Sequence, residues 1–459
     1  MQEIILWILT IQILGLFTFP VCCLFFGKLP DKGYSASKVL AIAILGYAVW
    51  MVSLLNIWDY SRVQVLMLLT ILILIELICI KLSILKIPWE WLKYNKKNLI
   101  LIDLIFISSF LMCSFFIAQN PAIELTEQPM DFMILNSIMI IGNLPPEDLW
   151  LASYHVNYYY FGHLLVSLVG TLLTTSPSIT YNLGLALICA SSSVVLYGIA
   201  YNCLQLSQAR YSRVLALIPP LLIMGAGNQL GLLELFRSIN LYSQRLSGWI
   251  SIENLSYVMN KPFTLFPVEY AWWWRSSRII NDSDNNGVVL DYTITEFPIF
   301  SFLIGDLHAH LLSVPYLLLI FYPIILLCYF YNPFKHNSKY EVGRIILICS
   351  FLVAISVLIN PWNLPISLVV IGCALIYYLN RELDFKIQNV LKGAGLIIAI
   401  VILVCCLVLP FIWHYQTINS SIALNTTLNT RISHLMLVNG LWILGSIIIY
   451  SYSLLIIKP

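Results

Sequence analysis

Charge is what this chain has least of. Of its 459 residues, 10% are Asp, Glu, Lys or Arg and 60% are hydrophobic. A soluble domain carries about 25% charged residues, so a water-exposed globule is excluded. Apolar runs of about 20 residues recur along the chain, the length that crosses a bilayer as a helix. The runs are continuous rather than alternating, which excludes an outer-membrane β-barrel. A net charge of +2 leaves no electrostatic footprint for nucleic acid. CxxC pairs are missing too. The 11 Cys, Cys22, Cys23, Cys113, Cys405 and Cys406 among them, lie in or beside apolar runs. They read as small buried side chains, not as a disulfide framework or a zinc site. The first apolar segment, Ile4 to Phe26, lacks a basic start and a small-residue cleavage site, so it reads as a span and not as a signal peptide. There is no long internal repeat and no low-complexity segment.

What is present is an all-α polytopic membrane protein. Apolar segments are predicted near 4–26, 38–56, 64–80, 99–118, 156–174, 179–203, 214–232, 309–331, 345–359, 364–379, 393–412 and 436–457. Basic residues gather at Lys28, Lys32 and Lys38, at Lys93, Lys96 and Lys97, at Arg210 and Arg213, at Lys335, Lys339 and Arg344, at Arg381, Lys386 and Lys392, and at Lys458. Such loops face the cytoplasm. Residues 120–155 carry no Lys or Arg, only Glu124, Glu127, Asp131, Glu147 and Asp148 among charged groups, and belong outside. All basic loops fall on one side if 156–174 is a juxtamembrane or re-entrant element. The expectation is therefore about eleven full spans and one partial one, in the plasma (cytoplasmic) membrane, with loops 119–155 and 233–308 on the outer face. Loops this long inside a compact domain are functional or disordered, and their Trp, Tyr, Phe and Pro content argues against disorder. The chain ends directly after an apolar segment, at LLIIKP, which leaves room for further spans.

The first outer loop holds Glu127 and Asp131, four apart, with Pro129 between them as a favoured first-turn residue. Asp131 either favours that helix start electrostatically or acts as a base or metal ligand at the membrane boundary. NYYYFGH follows, with Tyr158, Tyr159, Tyr160 and His163. On a helix, successive Tyr point about 100° apart, so the three cannot share one face. They read as an interfacial aromatic belt or as a surface gripping a lipid or sugar. The second loop carries WWWRSSR. Arg275 and Arg278 would be neighbours on a helix and present planar forks suited to phosphate, or else pair with local acids such as Asp282 and Asp284.

TEFPIFSFLIGDLHAHL places Glu296, Asp306, His308 and His310 in an otherwise apolar run. On a helix, Asp306 and His310 share a face and His308 is turned away. His-x-His spacing instead suits a strand or loop. Ionisable groups at membrane depth are expensive and usually face a cavity, so a functional site is expected here, with a divalent metal as one form of it. NPWNLP, Asn360 to Pro365, is a polar break that also reads as a plain turn. The sequons at Asn419 and Asn425 matter only in a glycosylating compartment.

NYYYFGH, WWWRSSRII, TEFPIFSFLIGDLHAHLLSVP and NPWNLP together resemble the YYY membrane-protein family, a domain of unknown function. The match runs in order from about Glu124 to His414. Gln128 and Asn363 depart from the pattern, which favours Lys and Asp there. That family is in turn similar to the C-type (GT-C) glycosyltransferases, which transfer a sugar from a polyprenyl-phosphate carrier on the outer face. The resemblance implies a GT-C-like helical bundle over residues 99–459, preceded by an N-terminal three-span addition, 1–98. It implies membrane lipids and a polyprenyl-phosphate sugar donor as partners. It places the acidic catalytic residue at Asp131 or Glu127, and the chemistry of the residues themselves adds Arg275 and Arg278, with His308 or His310, at the donor phosphate. No cofactor is indicated beyond that divalent metal, and the oligomeric state is not legible. The rivals are a lipid or solute transporter or flippase, for which Glu76 is the one clear mid-span carboxylate, and a non-catalytic envelope scaffold, which needs no convergence of Asp131, Asp306 and His310.

Overall fold

A computed structural model of the chain describes residues 1–252, 255, 263–264, 267, 272–283, 289–330, 339–382, 387–416 and 430–456. Asp284, the sequons at Asn419 and Asn425, and the basic residues Lys335, Lys386 and Lys458 lie outside them. Among the described residues, nine helices are long and apolar enough to cross a membrane: Gln2–Phe26, Ser37–Leu54, Arg62–Lys81, Lys96–Ile117, Pro177–Leu206, Ala309–Tyr329, Tyr340–Ile359, Ile387–His414 and Ile432–Ser451. The chain is an integral, multi-pass, all-α membrane protein. Helix is the expected solution, because it satisfies every backbone N–H and C=O without water.

The first eight helices are α1 (Gln2–Phe26), α2 (Ser37–Leu54), α3 (Arg62–Lys81), α4 (Trp89–Tyr94), α5 (Lys96–Ile117), α6 (Gln128–Asn136), α7 (Phe161–Leu173) and α8 (Pro177–Leu206). Ser61 starts α3 by accepting from the Gln64 N–H, and Ser176 starts α8 by accepting from Ile179, with Pro177 in the first turn. The same apolar composition has two outcomes. α3 leaves Leu66, Met67, Ile71, Leu74, Ile75 and Ile78 exposed, a surface suited to hydrocarbon. α8 is buried along most of its length, with α5 against it over a long contact. Glu76 of α3 lines an apolar cleft of about 280 Å³ among α1, α2 and α3.

Three predicted spans come out differently. Segment 156–174 contains only the 13-residue helix α7, in keeping with a partial element. Segment 214–232 is not one helix. It breaks into Ser212–Leu215, Ile218–Gly225 and Leu230–Ser238. Pro219 and Pro220 suit only the first turn of a helix, and Gly225, Gly227 and Asn228 end the second piece. Segment 364–379 forms a helix, Asn363–Glu382, whose apolar part, Asn363–Tyr377, is shorter than a span.

Contacts divide the chain into two compact units: residues 1–224 with 302–417, and residues 225–301 with 418–459. The first unit shares one apolar core from Trp7 of α1 to Phe411, so α1–α3 are built into it. The second has its own core of Leu230, Leu233, Tyr242, Ile250, Ile252, Leu255, Ile279 and Leu437. It also holds an antiparallel strand pair, Ile280–Ser283 with Val289–Thr293, in which Ile280 faces Thr293.

Within the first unit, α8 carries a buried polar network at its C-terminal end. Asn202 donates to the Asp31 carboxylate (2.8 Å), as do the Gly33 N–H (2.9 Å) and the Ser35 hydroxyl. Ser35 also meets the Tyr322 hydroxyl at 2.6 Å. Beside it, Lys38 pairs with Asp103 at 2.8 Å, and Asp103 accepts from Tyr34 (2.8 Å). Gly198 lets these groups close on α8, since a Cβ there would collide with Ser35 and Tyr322.

Candidate active site

The other end of α8 holds a second buried network. α5 ends at Ile117, and the chain turns back into α6 with Pro129 in its first turn, as expected. Asp131 points inward and is fully buried, whereas the Glu127 side chain is 61% exposed. α7 brings His163, also fully buried, to 3.1 Å between Nε2 and Asp131 Oδ1, within ion-pair distance although not aligned as a hydrogen bond.

The third contribution corrects the helical reading of Asp306 and His310. The helix Pro298–Ile304 stops at Gly305, which adopts φ +74°. That left-handed conformation is open to Gly and costly for other residues. Residues 306–308 are not helical, and the next helix begins only at Ala309, with His308 extended at its start (φ −80°, ψ 160°). In extended chain, residues two apart share a side. Asp306 and His308 therefore lie on one side, and the His310 ring lies 5.5 Å from that of His308. Tyr181 of α8 pins the turn by accepting from the Leu307 N–H (3.1 Å).

His308 is the hub. Its Nδ1 lies 3.2 Å from Asp131 Oδ2 and 3.1 Å from Glu127 Oε2, and its Nε2 lies 2.8 Å from the Tyr158 hydroxyl. Asp131, Asp306 and His308 each present a ligand atom, and all three lie within 4.8 Å of one another. Burial alone would raise the Asp131 carboxyl, but the neighbouring imidazoles of His163 and His308 outweigh it and hold the group below the ordinary carboxylate range. Burial alone would lower the His308 imidazole. The bond to Asp131 and the charges of Asp131, Asp306 and Glu127 outweigh it and push the group up to about 9. Burial, then the charges of Asp131 and Glu127, push the Tyr158 phenol up, so it stays a neutral hydroxyl.

The three Tyr diverge, but not on a helix, because α7 begins only at Phe161. Tyr158 serves His308. Tyr159 packs on Tyr158 and Tyr415, with centroids 4.5 and 6.0 Å away. Tyr160 is buried and accepts from the Trp50 indole N–H (3.0 Å).

The remaining expected residues lie in the second unit. Arg275 meets Glu234, with Nε and an outer nitrogen 2.7 and 2.5 Å from Oε1, and Arg237 lies 3.6 Å from Oε2. Its acid is thus Glu234, 41 residues upstream. Arg278 stacks over the Trp274 ring at 3.8 Å and donates to the Ser277 hydroxyl. Glu296 accepts from Ser301 (3.0 Å).

Two polar roles escaped the sequence reading. Gln128 Oε1 accepts from the N–H groups of Glu124 and Leu125 (2.9 Å each), and Nε2 donates to the carbonyls of Ile304 (2.5 Å) and Gly305 (3.1 Å). It ties the Asp131 loop to the Asp306 turn, and a Lys could not accept those two bonds. Asn363 donates to the Ser356 hydroxyl (2.9 Å) across the NPWNLP turn, which an ionised Asp could not do. Only the departure of both residues from the motif pattern pointed to these positions.

The profile of a family described as Uncharacterized membrane protein (DUF2298) matches residues 44–457, which takes in every element of this site. No curated protein matches the chain, and no solved structure does.

Proposed function

The chain belongs to the family of uncharacterized membrane proteins (DUF2298), and from its buried acid–imidazole site we propose that it is a membrane glycosyltransferase using a polyprenyl-phosphate-linked sugar at the outer face. The observation that carries this reading is the convergence of Asp131, Asp306 and His308 from loops 177 residues apart. A scaffold has no need of such a cluster. A transporter would place ionisable groups near mid-membrane, whereas these sit where loops meet helix ends.

The two acids of the first loop divide the work. Asp131 is enclosed by two imidazoles and positions His308. Glu127 is exposed beside His308, so it is the group that meets an acceptor. In the reaction, Glu127 takes the proton of an acceptor hydroxyl, whose oxygen attacks the anomeric carbon. The bond from that carbon to the phosphate oxygen breaks, and its electron pair leaves with the polyprenyl phosphate. Direct displacement inverts the anomeric centre. The His308 imidazolium is the positive group this site offers to the leaving phosphate. Arg275 is engaged by Glu234, so the imidazoles are better placed than that guanidinium to meet a phosphate.

The test is release of polyprenyl phosphate by the purified chain in proteoliposomes, using short-chain polyprenyl-monophosphate hexoses and a mixed acceptor pool. Glu127→Gln should lower the rate by about 10²–10⁴-fold, the usual contribution of a general base. Wild-type protein that cleaves none of these donors would end the proposal.

A further inference from the structure

We propose that Asp131, Asp306 and His308 bind one divalent cation of the Mn²⁺ type. The proposal does not depend on the transfer reaction, because it concerns only what the pocket holds. Two carboxylates, 0% and 3% exposed, face each other across an imidazole with ligand atoms no more than 4.8 Å apart. Adjacent ligands of an octahedral ion with bonds of about 2.1 Å stand about 3 Å apart, so a contraction of an ångström or two closes the shell.

The outer support of such a site is also in place. Metal-bound imidazoles and carboxylates are held by partners on their far side. His163 stands against Asp131 Oδ1, away from His308, which faces Oδ2. Tyr158 occupies His308 Nε2 and leaves Nδ1 toward the acids. Glu127, with Oε2 3.1 Å from that Nδ1 and its side chain 61% exposed, supplies both an entrance and a fourth ligand. The donor set selects the ion class. Two carboxylates with one imidazole suit Mn²⁺ better than Ca²⁺, which takes six to eight oxygens, or Cu(I), which takes sulfur.

The experiment is a Mn²⁺ titration of the full chain in detergent micelles after chelator stripping, with free and bound ion read by electron paramagnetic resonance. One saturable site per chain is expected, with nitrogen coupling from His308 in the pulsed spectrum. Asp306→Asn should weaken binding by at least about tenfold, and His163→Phe by about 10–100-fold, as loss of an outer partner does. His308→Gln should remove the nitrogen coupling. Glu76→Gln should bind as wild type does. The proposal is overturned if the wild-type chain shows no saturable site, if its bound Mn²⁺ shows no nitrogen coupling, or if a folded Asp306→Asn chain binds as tightly as wild type. The wild-type measurements decide the matter even if the variants do not fold. Binding without sugar release would leave the cation site standing and end the transfer proposal. Sugar release without binding would do the reverse.

Discussion

α8 joins two buried polar networks, Asp131 and Asp306 near Tyr181 and Asp31 beside Asn202, about 30 Å apart for 21 residues of helix. They differ in how their charges are met. Asp31 is surrounded by neutral donors, most of them from residues 33–35, and its neighbour Lys38 has a matching acid in Asp103. At the other end three acids, Asp131, Asp306 and Glu127, crowd one accessible imidazole, with a second imidazole behind. Acids and imidazoles gathered together, next to an exposed rim, are what a site needs if it is to hold a substrate or an ion. Charge matched by local donors, with no exposed rim, is what a structural knot needs.

The comparison breaks if activity follows the wrong acid. Asp131→Asn should lower donor cleavage by about 10²-fold through a misplaced His308 while helicity, followed by circular dichroism, stays near wild type. Full activity in that variant would return Asp131 to a structural role. Gln128→Lys should cost roughly tenfold to a hundredfold in the same assay, because a small displacement of the Asp306 turn from the Asp131 loop misplaces reacting groups. An unchanged rate would show that the turn is held by Tyr181 alone.

At the Asp31 end the expected losses are of stability. Asp31→Ala leaves the donors of Gly33, Ser35 and Asn202 without their acceptor and should cost about 2–4 kcal/mol, read as a lower thermal midpoint in detergent with donor cleavage per folded molecule unchanged. Gly198→Ala should cost about 1–3 kcal/mol through overpacking against Ser35 and Tyr322, again with cleavage intact. The smallest effect is of pH. Burial pushes the Asp31 carboxyl up, and its hydrogen bonds only partly offset this. The folded chain therefore keeps a proton that the unfolded chain has released. This contribution to stability is greatest below the ordinary carboxylate range and declines as pH rises through the raised pKa. The thermal midpoint of wild type should fall relative to that of Asp31→Asn across that window.

Much of the fold was legible because it rests on local properties. Low charge and long apolar runs marked the membrane helices, and Pro129 marked the start of α6. The segment at 214–232 is broken rather than one straight helix because Pro219, Pro220 and Gly225 outweighed hydropathy locally. Within the site, Asp131, Glu127, His163 and His308 could be named from their motifs, but their pairing could not. The partner of Asp306 stayed open, because a helical period favours His310 and an extended one His308, and only the turn at Gly305 decides between them. Glu234 was not among the partners considered for Arg275, a phosphate or a near acid, since sequence distance says little about contact in a folded loop.

The chain's solvent, its helices and the short strings that hold its ionisable residues were determined by the sequence alone, because hydropathy and turn chemistry act over a few residues. Which acid meets which imidazole was decided only in three dimensions. Asp131 and His308 stand 177 positions apart. They meet because Gln128 and Tyr181 hold the Gly305–His308 turn against α6 and α8, and because α7 brings His163 to the opposite oxygen of the same carboxylate.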